Sequence, residues 1–453
     1  MVKSLTDISQ YTENERTIAA ISTATGPGAI SIVRLSGPMA LFILSKIFKP
    51  KLCEFESHKI YYGHIKDGAE IVDEVLVSVM LSPRTYTKED MVEINCHGGF
   101  ISATSILSLL IKNGAVMAEP GEFTKKAFLN GRINLSEAES VVDIINARTN
   151  ISRALSLNVL SGKLGKKINM LRQKLLFAIA TLEVAIDYPD EGYFTQINEI
   201  EEITKEVSLE VESLLSSAKW EGILKNGIDT VIIGRPNVGK SSLLNAITGE
   251  ERAIVTNIEG TTRDTITASV GINNIPINIV DTAGIRETED EIEKIGVKIA
   301  LDKLDSADLV LLVLDGSAPL TKKDEELLNI ISSKNHIVVL NKADLGVKTS
   351  IEGAVRVSAY NNDIKALHDE IKNKYLGEDI SKELLLINMR HKEALEAAKE
   401  TLQSAKEAIS LKSPEEFISL DLTESYESLG LILGESVSES IIDKIFSEFC
   451  LGK

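Results

Sequence analysis

Eight residues, GRPNVGKS from Gly234 to Ser241, restrict the fold of this chain more than any other feature. The β-branched run TVIIG precedes them and the helical run SLLNAITG follows. A glycine-rich loop between a strand and a helix turns successive backbone N–H groups inward around phosphate oxygens. The positive end of the helix dipole adds to the attraction. The pattern puts Gly234, Asn237, Val238, Gly239, Lys240, Ser241 and Ser242 against a nucleotide. Lys240 would reach the β- and γ-phosphates, and the Ser241 hydroxyl would ligate Mg²⁺.

Such a loop belongs at the carboxyl edge of a parallel sheet, and the sequence supplies one. From about Ile223 to Gly377 the short apolar runs TVIIG, INIVDTAG, LVLLVLDG, HIVVLNKAD and AVRVSA alternate with helical segments, each run ending in a polar loop. That is a doubly wound α/β domain, expected over residues 223–381. A chain of 453 residues exceeds one core. Residues 1–118 read as a mixed α+β domain: AISIVRLSG and EVLVSVML read as strands, MALFILSKIF and ISATSILSLLIKNG as helices. Residues 119–222 and 382–453 read as helical. Their apolar stripes would be buried if the two blocks packed together around an inserted α/β domain; two separate helical modules are the alternative.

Three further motifs follow the loop in order. GTTRD offers Thr262 as a second Mg²⁺ ligand that senses the γ-phosphate. DTAG offers Asp281 for the metal's water shell and Gly284 for the phosphate itself. In NKAD, Asn341, Lys342 and Asp344 read the base: the carboxylate accepts from both guanine N–H groups, whereas adenine presents an acceptor and is repelled. The Lys342 stem covers the base face. Ser358 and Ala359 fit the last element, a backbone N–H donated to the guanine carbonyl. GTP is therefore the expected substrate. The residue after DTAG is Ile285, where Ras-like switches carry a water-orienting glutamine, and isoleucine can neither donate nor accept a hydrogen bond.

The bulk numbers narrow the partners. A net charge of −18 excludes the broad cationic surface that sequence-independent nucleic-acid binding needs, so any RNA contact is local or delegated to a basic partner. The longest apolar run, LVLLVL, is far short of the ~18 residues of a membrane span. The N-terminus lacks the layout of a signal peptide. Three widely spaced cysteines suit reduced thiols in a cytoplasm. Cys96 precedes His97, but one such pair is no metal site.

GRPNVGKS, GTTRD and DTAGIR, together with the N-terminal VRLSG, CHGG and EPGEFTKKAFLNGR and a terminal FCLGK, resemble the MnmE (TrmE) family of tRNA-modification GTPases. The resemblance covers essentially the whole chain. It implies hydrolysis activated by potassium-dependent dimerisation of the G domains, with neither glutamine nor arginine finger. Asn237 matches the family's potassium ligand, and Thr256, Ile258 and Thr261 match the loop that completes the cation site. Glu293 matches the glutamate that orients the water; without the family it is one of five acids between Glu287 and Glu293. The N-terminal domain would bind formyl-tetrahydrofolate and form a homodimer, with Arg34, Glu93, Arg132 and Lys453 at the folate. Read alone, Arg34 and Glu93 fit a surface ion pair or strand-edge charges equally well. The implied reaction modifies the wobble uridine of tRNA at C5, together with the flavoprotein MnmG. The competing function is a regulatory or ribosome-assembly switch of the Era or Der type, which usually carries a basic RNA-binding module. Cys450 is either a thiol near the folate or a structural one.

Overall fold

The computed structural model describes residues 2–4, 16–24, 26–188, 197–250, 266–273, 275–280, 304, 307–376 and 384–453. The chain divides into two compact units. One comprises Met1–Val142, Gly165–Arg172 and Tyr426–Lys453; the other comprises Asp143–Leu164 and Gln173–Ser425.

The first unit contains a seven-stranded sheet among the described residues. Its order is Phe48–Lys49, Lys59–Asp67, Glu70–Met80, Met91–His97, Ile30–Ser36, Ile18–Ile21, Val116–Met117. Strand alternation sends Val33, Leu35, Val75, Val77, Val79, Val92, Ile94 and Cys96 to one face. There they pack with Leu41 and Leu44 of helix Ala40–Ile47, and with Ile106 and Leu110 of helix Phe100–Lys112. The opposite face carries Arg34, Glu93, Asn95 and His97. It also leaves Ile30, Ile60, Tyr62 and Leu76 between 48% and 64% exposed. Exposed apolar side chains grouped on one sheet face are a common feature of interaction surfaces.

Among its described residues the second unit holds a six-stranded sheet ordered Ile266–Ile272, Ile275–Val280, Ile228–Ile233, Leu309–Asp315, His336–Asn341, Val355–Arg356. All neighbours are parallel except Ile266–Ile272, which runs antiparallel to Ile275–Val280. Leu309 to Leu314 are all at most 1% exposed because both faces are covered, which is why this strand reads as an unbroken apolar run. Leu309, Leu311 and Val313 pack with Leu243 and Ile371 on one side. Val310, Leu312 and Leu314 pack with Ile331 on the other. The expected strand in AVRVSA shrinks to Val355–Arg356.

The two helical blocks meet within this unit. Helix Met389–Ser410 packs against helix Ile197–Ser217. Leu395, Ala398, Leu402 and Ala405 are fully buried, as are Val207 and Val211, following the i, i+3, i+4 spacing of an amphipathic helix. Asn278, 3% exposed, ties the sheet to the segment before it. Its side chain accepts from Arg148 Nη1 at 3.0 Å and Ser269 Oγ at 3.1 Å, and donates to Asn226 O at 2.7 Å and Asp229 Oδ1 at 2.9 Å. With its polar atoms paired in this way, a buried amide is tolerated beside the strand that precedes the phosphate loop. No helix among the described residues is long and apolar enough to cross a membrane.

Candidate functional site

The glycine-rich loop takes the turn its sequence implies. Strand Ile228–Ile233 ends at Gly234 (φ 150°), Asn237 and Gly239 have φ of 64° and 95°, and helix Lys240–Glu250 begins immediately after. A Cβ on Gly234 would strike the Val313 carbonyl, and one on Gly239 would strike the Asn341 amide. Only glycine fits at either point. Val238 is buried, while Asn237, Ser241 and Ser242 are exposed. An exposed hydroxyl in the first helical turn suits Ser241 to the Mg²⁺ role. Lys240 folds back over the loop, its Nζ donating to Gly234 O and Arg235 O, both at 2.8 Å. Burial lowers its pKa, so a phosphate that restores a countercharge gains from drawing it out.

The residues expected to read the base converge on the same sheet edge. The Asn341 side chain, 2% exposed, donates to Val238 O at 2.9 Å and accepts from Ala359 N at 3.0 Å. One amide thus fastens the phosphate loop to the loop carrying Ser358 and Ala359. Asp344 Oδ1 accepts from Ser358 Oγ at 2.6 Å. Lys342, in the left-handed conformation (φ 64°), donates to Asp315 Oδ2 at 2.7 Å. Burial pushes the Asp315 carboxyl up, but hydrogen bonds from Lys342 and Ser317 outweigh it and hold the pKa below its ordinary value. Asp315 was missed from sequence, although it ends the strand LVLLVLD. Thr256, Ile258, Thr261, Thr262, Asp281, Gly284 and Glu293 lie outside the described residues.

A second cluster lies in the first unit. Arg34 and Glu93 are cross-strand partners. Arg34 Nε and Nη2 both donate to Glu93 Oε1, at 2.9 and 2.7 Å, and Nη1 donates to Gly452 O at 3.1 Å. The Arg34 guanidinium lies 5.5 Å from the Phe123 ring centre and 5.9 Å from that of Tyr86. Arg132 lies 4.6 Å over the same Tyr86 ring and donates to its carbonyl at 3.2 Å. The C-terminal tail is threaded in beside them: Ser22 Oγ donates to Gly452 O at 3.1 Å, and Phe123 N donates to Lys453 O at 3.2 Å. Two guanidiniums, a carboxylate and two aromatic rings therefore surround the end of the chain, a set suited to a planar, anionic ligand. Tyr86 and Phe123 had no local signal; distant segments bring them in.

Alternation separates Cys96 from His97. The Cys96 thiol is buried, donates to Ser31 O, and is pushed up to about 11 by burial and by the charge of Asp73. His97 points outward, with Nδ1 against Asp73 Oδ1 at 2.6 Å, a contact that raises its pKa. Among the described residues no group of histidine, cysteine or carboxylate side chains is placed to hold a metal. Cys450 is exposed.

Residues 135–450 match the family profile described as the MnmE helical domain. Residues 17–132 match the one described as the N-terminus of GTP-binding protein TrmE. The tRNA modification GTPase MnmE of Listeria welshimeri is 46% identical over 459 residues, covering 96% of this chain and 99% of its own. That of Lactococcus lactis is 48% identical over 458 residues, covering 98% of this chain and 99% of its own. A solved Era variant from Aquifex aeolicus bound to GDP.AlF4- is 28% identical over 38% of this chain and 66% of its own. Its TM-score of 0.26 is too low to carry weight.

Proposed function

The chain belongs to the MnmE (TrmE) family of tRNA modification GTPases, and from that premise we propose that GTP hydrolysis here drives modification of the tRNA wobble uridine at C5. The observation that carries the GTP site is the Asn341 amide, which joins the phosphate loop to the base-reading Ser358–Ala359 loop. A switch of the Era or Der type would have no use for the N-terminal and helical regions that match this family along nearly the whole chain.

In this reading Ser241 and Thr262 hold Mg²⁺ and Asp281 its water shell. Asn237, Thr256, Ile258 and Thr261 hold K⁺ when two G domains meet. A monovalent cation there neutralises charge developing on the phosphates, the work an arginine finger does elsewhere. Support comes from Asn237, which stands exposed in the loop, and from Ile285, which cannot orient water. Hydrolysis should accelerate strongly in potassium chloride and stay basal in sodium chloride, the smaller ion fitting the same oxygens poorly. Asn237→Ala should flatten the difference. Equal wild-type rates in the two salts would remove the cation from the mechanism.

The protein works in the cytoplasm as a homodimer with MnmG, and the exposed Ile30, Ile60, Tyr62 and Leu76 suit such an assembly. Formyl-tetrahydrofolate supplies the one-carbon unit and binds at Arg34, Glu93, Arg132 and Lys453. The cations suit its glutamate tail, a carboxylate suits its pterin N–H groups, and Tyr86 and Phe123 offer flat faces. Calorimetry on the full chain should show folate binding that Arg34→Ala weakens by about 10- to 100-fold, the usual cost of losing a charged hydrogen-bond partner. Mass spectrometry of tRNA nucleosides from Arg34→Ala cells should show less modification. No binding to wild type, or full modification in the variant, would refute the assignment.

A further inference from the structure

Arg235 is the second residue of the phosphate loop, and its side chain has no part in the contacts described so far. Its Nε donates to Asp324 Oδ1 at 2.6 Å, and Asp324 is 1% exposed. The other carboxylate oxygen accepts from Thr321 N at 2.9 Å and Thr321 Oγ1 at 2.8 Å. That reciprocal cap closes the N-terminus of helix Lys322–Ile331. Burying a carboxylate is expensive unless a cation and hydrogen bonds compensate it, and Arg235 is the cation placed against this one. The main chain of the same residue makes a separate contact: its carbonyl accepts from Lys240 Nζ at 2.8 Å.

The loop therefore has one residue tied to a packed helix by its side chain and to the phosphate-binding lysine by its backbone. Gly234 and Gly239 on either side remove the steric restraints that would otherwise fix a loop. An anchor between them limits the conformations the intervening amides sample before a nucleotide arrives.

We propose that Arg235 is a positioning residue for nucleotide binding. Through its ion pair with Asp324 it holds the Gly234–Ser241 backbone in the shape that presents its amides to the β-phosphate. The pair sets the affinity for GDP and GTP alike, because both carry that phosphate. It has little influence on the chemical step once GTP is bound. The proposal rests on the reading of Gly234–Ser241 as the phosphate site.

The test uses the full chain, a fluorescent GDP for affinity and steady-state GTP hydrolysis. Arg235→Ala should raise the Kd for GDP about tenfold, within what misplacing a pre-organised group costs. KM for GTP should rise by a similar factor, with kcat falling far less. Arg235→Lys should recover part of the affinity by restoring the charge without the planar fork. Asp324→Asn breaks the ion pair and leaves only Arg235, whose side chain is 26% exposed against 2% for Asp324, so it keeps the test open if Arg235→Ala does not fold. Combined with Arg235→Ala it should add less than its own effect. An unchanged Kd in Asp324→Asn, or a fall in kcat at constant KM, the mark of an interaction made only in the transition state, overturns the proposal. Lys240→Ala in parallel separates the two ideas: if it leaves GDP affinity intact, the loop is not the phosphate site and the premise fails.

Discussion

Glu293→Ala is expected to lower kcat for GTP hydrolysis by about 10²- to 10⁴-fold, the range for losing a positioned acid–base group. The affinity for GTP should stay within about threefold of wild type. DTAG is followed by Ile285, which offers the attacking water no hydrogen bond, so another group must orient it. Family resemblance nominates Glu293, in a stretch outside the described residues. A carboxylate that acts on water in the transition state contributes little to the ground-state complex, which is why rate and affinity should part. Single-turnover hydrolysis in potassium chloride, paired with equilibrium binding of a non-hydrolysable analogue, measures both. A normal rate would remove Glu293 from catalysis. A large loss of affinity would make it a binding residue.

The turn of the Gly234–Ser241 loop was legible from sequence because its chemistry constrains the backbone. Gly234 and Gly239 sit where a Cβ would strike the neighbouring strand or Asn341, so the motif and the geometry are one requirement. The parallel strands were legible because both faces are covered. Strand Ile266–Ile272 was not: ITASVGI mixes small, polar and apolar residues and pairs on one side only. Strand Lys59–Asp67 was hidden for a related reason, since Ile60 and Tyr62 face outward and blur the alternation. Long-range pairing was only partly legible. An ion pair was one reading of Arg34 and Glu93, but nothing in the sequence placed them opposite each other on adjacent strands, 59 residues apart. Nor could sequence show that the carbonyl of Gly452, 418 residues from Arg34, completes the guanidinium's contacts. The ion pair is the arrangement present, and it fixes the guanidinium's orientation beside Tyr86 and Phe123.

The loop proposed to read the base gives the other large expected effect. Asp344→Asn should lower GTP affinity by about 100-fold or more, since hydrogen bonds to a charged group are worth about 1.5–3 kcal/mol each and two are disturbed. It should also shift preference toward xanthosine triphosphate. Ser358 explains why. Its hydroxyl accepts from Asn361 N at 3.3 Å and donates to Asp344 Oδ1 at 2.6 Å, so its proton is committed to that side chain. An asparagine at 344 would keep its oxygen toward Ser358 and turn its amide N–H toward the base. Guanine presents a 2-amino group there, donor against donor, and the mismatch costs affinity. Xanthine presents a carbonyl, which the amide can serve. Asn341 and Ala359 are unaffected, so the phosphate loop should keep its shape and hydrolysis at saturating xanthosine triphosphate should approach the wild-type GTP rate. Competition between the two nucleotides, with hydrolysis of each, reads both effects. An unchanged preference for GTP would reduce NKAD to a strand-end turn and leave the choice of base to other residues.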